Sequence, residues 1–416
     1  MRPQPERIRW LDALRGAAVL GIIPLNARWL LHPGDAYHDP SLQGPPGVIA
    51  WLWWAIPELL FDHSTLFVLA AVFGVSLSIA RAADSDPGWT RRHRARLLVI
   101  GTVGFAHGAL VWPGDILWPY ALTALLLTGA VRQVEDDSNA LFWLAVVAAA
   151  LPPVVGLWAL YATVGGYEAA GVNPHTAYVL ATPELRAWES AGYAGSFRDS
   201  LAVKWTQWIT QSTSTMGTWT LWHAGAGMLA GVWWHRRGRR VCGDNPHLPH
   251  ALAAAGLALT GASLWIATAS AYHPITLTWT KWVTYAGGAL LAAAAVTAFT
   301  RTDPAAWDTP AGRGLRACGQ ASLSIYLLSS LLLAGVAQGW GLGLHGRLTP
   351  EQSAATTLAV MTVLFWCAAR CVGTDSRRPP AERLWRLATR LLSGGRPRPE
   401  RRTASTAENS TQRTRA

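Results

Sequence analysis

Residues 97–126, LLVIGTVGFAHGALVWPGDILWPYALTALL, decide how the chain is read. Two apolar runs meet there at a Pro113-Gly114 turn, with His107 inside the first run and Asp115 just past the turn. Helices this apolar belong in lipid, where ionisable side chains are expensive and by default face the bundle interior as functional candidates. The hairpin therefore points both to a helical membrane fold and to a first pair of site residues.

Composition leads the same way. Of 416 residues, 51% are hydrophobic and only 14% charged, against about 25% charged in ordinary soluble domains. Ten runs approach the roughly 20 residues that cross a hydrocarbon core. The expected fold is all-α: a polytopic membrane bundle of ten crossings plus an interfacial or re-entrant helix. Residues 1–373 form the transmembrane domain, and 374–416 a basic, largely disordered cytoplasmic tail rich in Pro and Ser. The formal charge of +11 does not point to nucleic acid, because the basic residues cluster at the ends of apolar runs, as on cytoplasmic loops. Cys242, Cys318, Cys367 and Cys371 fall near those ends, where thiols stay reduced, and none has metal-site spacing with histidines.

The first helix, Trp10 to Leu31, follows Arg7 and Arg9 and has no small-residue cleavage site close behind it, so it is expected to be retained. The charge rule puts both termini in the cytoplasm. Val48 to Phe61 is short for a span and reads as interfacial or re-entrant on the outer side, leaving His63 to Ala80 to cross. The hairpin goes out over Arg96 to Trp112 and back over Ile116 to Val131, and Asn139 to Thr163 leads into a long outer loop, 164–215. A loop of that length is more often functional than idle. At its end Phe197, Leu201, Trp205, Trp208 and Ile209 are spaced as an amphipathic helix lying along the outer surface. Gly217 to Trp234, Pro249 to Ala271, Thr278 to Thr300, Arg316 to Trp340 and Ser353 to Cys371 complete the ten crossings. Arg347, on the last outer loop, breaks the charge rule, as do the mixed charges of the long loop. In the tail, Ala381 to Leu392 is an amphipathic segment suited to the anionic inner leaflet.

Two polar groups follow from this topology. The outer one holds Asn26, Arg28, Asp62, His63, His107, Asp115, Tyr120 and His223. A carboxylate beside an imidazole is the basic kit of general acid and base chemistry. The plain structural alternative makes Asp62, His63 and Asp115 solvated interfacial residues and His107 a bridge to a neighbouring helix. The inner group holds Asp12 and Arg15, three residues apart on one helix face, with Gln320, Ser322, Ser324 and Tyr326. Asp12 and Arg15 at that spacing can simply stabilise their helix, and Gly16 and Gly21 permit close helix contact. Of the 24 tryptophans, several (Trp29, Trp51, Trp53, Trp54, Trp112, Trp118, Trp219, Trp222) lie near the outer group. An interfacial belt explains most of them; the rest can line an apolar pocket and stabilise a cation on their ring faces.

The runs RIRWLDALRGAAVLGIIPLNA, FAHGALVWPGDILWPYAL, LWHAGAGMLAGVWW, GQASLSIYLLSSLL and ERLWR closely resemble the YeiB family of bacterial membrane proteins, which carry the domain of unknown function 418. The resemblance extends from Arg9 to about Arg386. That family is placed by resemblance in the transmembrane acyltransferase superfamily, beside heparan-alpha-glucosaminide N-acetyltransferase and the acyltransferase-3 proteins. The positions that match its pattern are Asp12, Arg15, Gly16, Asn26, Gly74, His107, Gly114, Asp115, Tyr120, Gly319 and Tyr326. Two elements depart from it: the usual Glu-Gly-Lys-Phe before the second crossing is Asp62-His63-Ser64-Thr65, and the usual Arg and Asn of the late motif are Gln320 and Ile325. If the missing Lys and Arg bind a charged acyl donor in relatives, the donor here differs or is absent.

The resemblance implies acyl transfer at the plasma membrane. An acyl-coenzyme A co-substrate, with no bound cofactor and no metal, would enter near Arg15 and Gln320. A small-molecule or lipid-linked acceptor outside would be deprotonated by His107 or His63, oriented by Asp115 or Asp62, with Asp12, Asn26, Tyr120, His223 and Tyr326 lining the route. A membrane-embedded terpene cyclase stays open as the alternative, with Asp115 or Asp62 as proton donor and indole rings around the carbocation. So does a transporter or non-catalytic protein, although paired broken helices are not evident in the sequence. All enzymatic readings require His107, Asp115, Asp62 and His63 to share one cavity. The oligomeric state is open.

Overall fold

The computed structural model describes residues 8–43, 47–82, 89–134, 139–242, 245–373 and 379–394. Most of the expected tail, 374–378 and 395–416, lies outside the described residues. The N-terminal half is built from α1 (Arg9–Leu31), α2 (Val48–Leu60), α3 (Ser64–Ala82), α4 (Trp89–Leu110), α5 (Leu117–Gln133) and α6 (Ala140–Ala169). Then come α7 (Pro174–Ala177), α8 (Pro183–Ala194), α9 (Phe197–Thr210), α10 (Leu221–Trp233) and α11 (Arg239–Cys242). The C-terminal part comprises α12 (Leu248–Ala269), α13 (Pro274–Arg301), α14 (Pro310–Gln320), α15 (Ser322–Ala337), α16 (Pro350–Gly373) and α17 (Pro380–Leu392).

Among the described residues the fold is all-α, and six helical stretches are long and apolar enough to cross a membrane, or seven if the bent pair α14–α15 counts as one. One of the six, Val48–Ile79, joins α2 to α3 in 32 residues. At 1.5 Å per residue that is about 48 Å, against a hydrocarbon core of about 30 Å, so part of the stretch must lie beyond the core. The turn between its halves puts His63 at φ 57°, in the left-handed region that non-glycine residues seldom occupy.

Three expectations change. The 164–215 segment is not a loop: it contains the end of α6 together with α7, α8 and α9. Nor is α9 a separate helix laid beside the next crossing, because a π-helix over Gln211–Thr220 carries it into α10, and a second over Trp234–Gly238 carries α10 into α11. Residues 197–242 are thus one helical run of about 70 Å. The buried face of α9 is Ser200, Val203, Lys204 and Trp208, while Phe197, Trp205 and Ile209 are exposed. The apolar spacing therefore does not mark one face: Trp208 turns inward against Phe105 beside Gly108, while Lys204 on the same side donates to the Leu110 carbonyl. Finally, the run from Arg316 to Trp340 is not straight; α14 and α15 meet at 81°.

The bundle is organised around α1, which is buried along almost its whole length and packs against α3, α13, α14, α15 and α16. A helix apolar on all sides belongs at the centre of such a bundle. Its crossing with α14 depends on glycine: a Cβ at Gly16 would collide with the Leu315 carbonyl, and one at Gly319 with the Asp12 carbonyl. That close approach fixes the spot where Asp12 meets Gln320.

Candidate functional site

The hairpin that opened the sequence builds the first centre. His107 lies in the last turn of α4, and the Pro113-Gly114 turn folds Asp115 back onto it, so His107 Nδ1 and Asp115 Oδ2 are 2.8 Å apart. Both side chains are buried, at 5% and 0% exposure. The other carboxylate oxygen, Oδ1, accepts the Trp118 backbone N–H at 3.0 Å, which seats Asp115 at the start of α5, where the helix dipole favours an anion. Gly104 is what lets the chains come so near, since a Cβ there would strike Trp118 N and Asp115. Tyr326 completes the centre from α15: its hydroxyl donates to Asp115 Oδ2 at 3.3 Å and accepts from Ile116 N–H at 3.1 Å. The remaining imidazole nitrogen, His107 Nε2, is buried without a partner. A carboxylate at Nδ1 places the ring proton there and leaves the Nε2 lone pair free.

A second centre forms where α2, α3 and α13 meet. Lys281 Nζ is 3.0 Å from Asp62 Oδ2 and 3.8 Å from Glu58 Oε1. Arg28 Nη2 lies 3.0 Å from Glu58 Oε2, and the Tyr37 hydroxyl donates to Asp62 Oδ1 at 2.9 Å. Both cations also lie over the Tyr37 ring. Burial raises the Tyr37 phenol well above its usual range, with the neighbouring Asp62 charge adding to it. Burial likewise lowers His38, and the Lys281 ammonium pushes it further down. Gly288 allows this assembly, because a Cβ there would meet Asp62 O, His63 Cβ and Ser64 N. His63 Nε2 is 3.5 Å from Asp62 Oδ2 but misaligned for a hydrogen bond, and both its ring nitrogens lack partners. It faces His223, Tyr285 and Trp219, with ring centroids at 6.0, 5.3 and 5.8 Å. His223 stacks on Phe67 at 4.0 Å, and its nitrogens and the Tyr285 hydroxyl are also unpartnered.

The expected single outer group therefore resolves into two, and the acid–base reading, which required all four residues in one cavity, is narrowed to His107 and Asp115. Among the described residues no hydrogen bond or ion pair joins Asp62 or His63 to His107 or Asp115. Tyr326, expected with the inner residues, sits on the His107 pair instead. Tyr120 donates to the Leu66 carbonyl at 2.6 Å and ties α5 to α3, while Asn26 is buried with its Nδ2 unpartnered. Of the inner group, Asp12, Arg15 and Gln320 come together: Arg15 Nη1 is 3.4 Å from Asp12 Oδ1, Gln320 Nε2 donates to Asp12 Oδ2 at 3.2 Å, and Arg15 reaches Ser76 Oγ at 3.1 Å, whereas Ser324 bonds Glu382. Lys281 was missed, although it is the one lysine within the apolar run of α13. Glu382 was missed too; from α17 it accepts the Leu323 and Ser324 N–H groups at 2.9 and 3.1 Å, capping the helix that restarts after the 81° bend. Among the described residues no three His, Cys, Asp or Glu side chains form a group that could hold a metal ion.

Comparison with known proteins reaches part of this architecture. Residues 247–391 match the family model described as "Protein of unknown function (DUF418)". The C-terminal part of the chain is thus similar to the DUF418 family. A stretch of 132 residues is 36% identical to "Uncharacterized protein YeiB" of Escherichia coli (strain K12), covering 32% of this chain and 33% of that protein. Another of 131 residues is 32% identical to "Uncharacterized protein YxaH" of Bacillus subtilis (strain 168), over 29% and 32% of the two chains. The chain spans about a third of the length of these curated relatives. No solved structure matches it. The DUF418 segment supplies Lys281, Gln320, Tyr326 and Glu382, whereas Asp12, Asp62, His107 and Asp115 come from outside it, so both centres are assembled across its boundary.

Proposed function

We propose that this chain is a plasma-membrane acyltransferase whose general base is His107. The observation that carries the reading is the hydrogen bond from His107 Nδ1 to Asp115, which leaves Nε2 buried and unpartnered. Asp115 would hold the tautomer and stabilise the imidazolium that forms. An acceptor hydroxyl or amine gives its proton to Nε2 as its oxygen or nitrogen attacks the thioester carbonyl. The tetrahedral intermediate then collapses, the C–S bond breaks, and the imidazolium returns the proton to the departing thiolate. The thioester would approach from the Arg15–Gln320 side and the acceptor from the opposite face. Counting α4, α5, the Gly217–Trp234 part of the 197–242 run and the bent α14–α15 pair with the long helices gives ten crossings, with both termini cytoplasmic.

Geometry weighs against the two alternatives. A cyclase acid must stay protonated beside an apolar wall, yet Asp62 faces an ammonium and Asp115 an imidazole. A transporter's broken helix offers its N-terminus to the substrate, whereas that of α15 is occupied by Glu382. The test is acyl incorporation from labelled acyl-coenzyme A by the purified chain in native lipid. His107→Ala and Asp115→Asn are each expected to lower turnover by about 10²-fold or more; turnover unchanged by both would overturn the assignment.

A further inference from the structure

Away from both centres, the end of α1, the short turn Gly34–Tyr37, α8 and the segment before α16 enclose a cavity of about 520 Å³. That volume is in the range of small-molecule sites. Its polar wall is Asp35, Arg186, Ser190 and Arg347, with apolar contributions from Leu42 and Leu348. Asp35 has a side chain 5% exposed, and its Oδ2 pairs with Arg186 Nη1 at 2.8 Å. Its second oxygen, Oδ1, is buried with no hydrogen-bond partner. A buried carboxylate oxygen without a donor is costly, and in native proteins such a group usually meets a ligand or ordered water. Arg347 at the rim is exposed, and among the described residues its guanidinium is paired with no carboxylate. It is also the cation that the charge rule leaves stranded on the far side of the membrane.

The cavity's histidine adds no charge. His32 shares a hydrogen bond with Ser353 Oγ at 2.7 Å, and burial, with His345 nearby, lowers it to about 4. The other charges facing Asp35 are Glu189, whose carboxylate accepts the Gly34 N–H, and Asp39. With Arg186 already matched, two demands remain open: a hydrogen-bond donor at the buried Asp35 oxygen and an anion at the Arg347 rim. We propose that this cavity binds a small zwitterion, a primary ammonium joined by a short linker to a carboxylate or phosphate, with the ammonium on Asp35 and the anionic end on Arg347. The site stands whether or not the chain transfers acyl groups.

Binding to the purified full-length chain, followed by calorimetry, distinguishes the parts. The probes are glycine, β-alanine, 4-aminobutyrate and phosphoethanolamine, with ethanolamine and inorganic phosphate as half-ligands. At least one zwitterion is expected to bind tenfold or more tightly than either half-ligand. Arg347→Ala, an exposed position with no folding role, should reduce that zwitterion to the level of ethanolamine, and Asp35→Asn should reduce it to the level of phosphate. If no soluble zwitterion exceeds the halves but nanodiscs containing phosphatidylethanolamine bind in an Arg347-dependent way, the zwitterion is a lipid headgroup. Equal, weak binding of every probe, or binding unchanged by Arg347→Ala, would overturn the proposal.

Discussion

The His107 and Asp62 centres use the same residue types at similar burial and arrive at opposite chemistry. At His107 one imidazole meets one carboxylate, and a ring nitrogen is left open. At Asp62 two carboxylates face two cations, and Tyr37 fills a further acceptor position. A charge network of that kind resists change, since the cost of burying each ion is offset only while its partners stay in place. A single oriented base with a free lone pair can exchange a proton with a substrate. Burial alone thus says little about function; what separates the two centres is that Asp115 hydrogen-bonds and orients its imidazole, leaving one defined open nitrogen, whereas Asp62 is held by Lys281 and Tyr37 and leaves the open nitrogens of His63 unoriented.

The largest effect should come from removing the open nitrogen. His107→Ala is expected to lower acyl transfer by about 10²–10⁴-fold, and His107→Gln, which keeps a hydrogen-bond donor for Asp115, to do so while leaving thermal unfolding of the purified protein close to that of the wild type. Asp115→Asn should lower turnover by about 10²-fold or more, because the amide favours the wrong tautomer. Labelled-acyl assays beside melting curves check both. A large loss of melting temperature with His107→Gln would make the pair a structural one, like its neighbour.

The reverse pattern is expected at Lys281. Lys281→Met strands Asp62 and Glu58 near a single arginine, and breaking a buried pair from one side costs about 3–5 kcal/mol. Unfolding followed by tryptophan fluorescence should show this, and adding Asp62→Asn should restore most of the loss. If the single substitution were neutral, the network would not be the fixed structural element that distinguishes it from the His107 pair.

How far the sequence could see these centres depends on distance along the chain. His107 and Asp115 are eight positions apart, and a Pro-Gly turn between apolar runs brings them together almost by itself, so the pair was legible. Tyr326 arrives from α15, 211 positions from Asp115, and helix register alone could not choose its partner. Lys281 left a signal, one ammonium in an apolar run, but nothing local pairs it with Asp62 across 219 positions. The all-α class followed from hydropathy. The continuity of residues 197–242 did not, because QSTSTMGTWT looks like a break, and only the wider π-helical hydrogen bonding of Gln211–Thr220 carries the helix through it. The 81° bend was equally hidden, since GQASLSIYLL has no proline and its cap, Glu382, comes from another helix.

That cap provides a smaller effect near the Tyr326 arm of the first centre. Glu382 accepts two backbone N–H groups at the start of α15 and also bonds the Ser324 hydroxyl at 2.5 Å. Glu382→Ala leaves those donors unsatisfied and should cost about 1–3 kcal/mol, read as a lower melting temperature. Because α15 carries Tyr326, transfer should also weaken by a few-fold. Unchanged stability would mean that water replaces the cap without loss.

The smallest effect is a slope against pH, and it comes from the helix that braces the hairpin. Lys204 on α9 donates to the Leu110 carbonyl at 3.0 Å, at the very end of α4, and burial lowers its pKa from 10.5 to about 8. Between those values the unfolded chain holds a proton that the folded chain has released, so stability rises with pH there. Below about pH 8 both states are protonated and the penalty for burying the ammonium is constant; above 10.5 both are neutral and it has gone. Tyrosines titrate in the same interval, so the informative quantity is the difference between the wild type and Lys204→Met. Melting temperatures of the two should converge or cross as pH rises from 8 to 10.5, the wild type gaining relative to the variant. Parallel curves would show that Lys204 keeps its ordinary affinity for the proton and that α9 rests on the hairpin through the packing of Trp208 on Phe105.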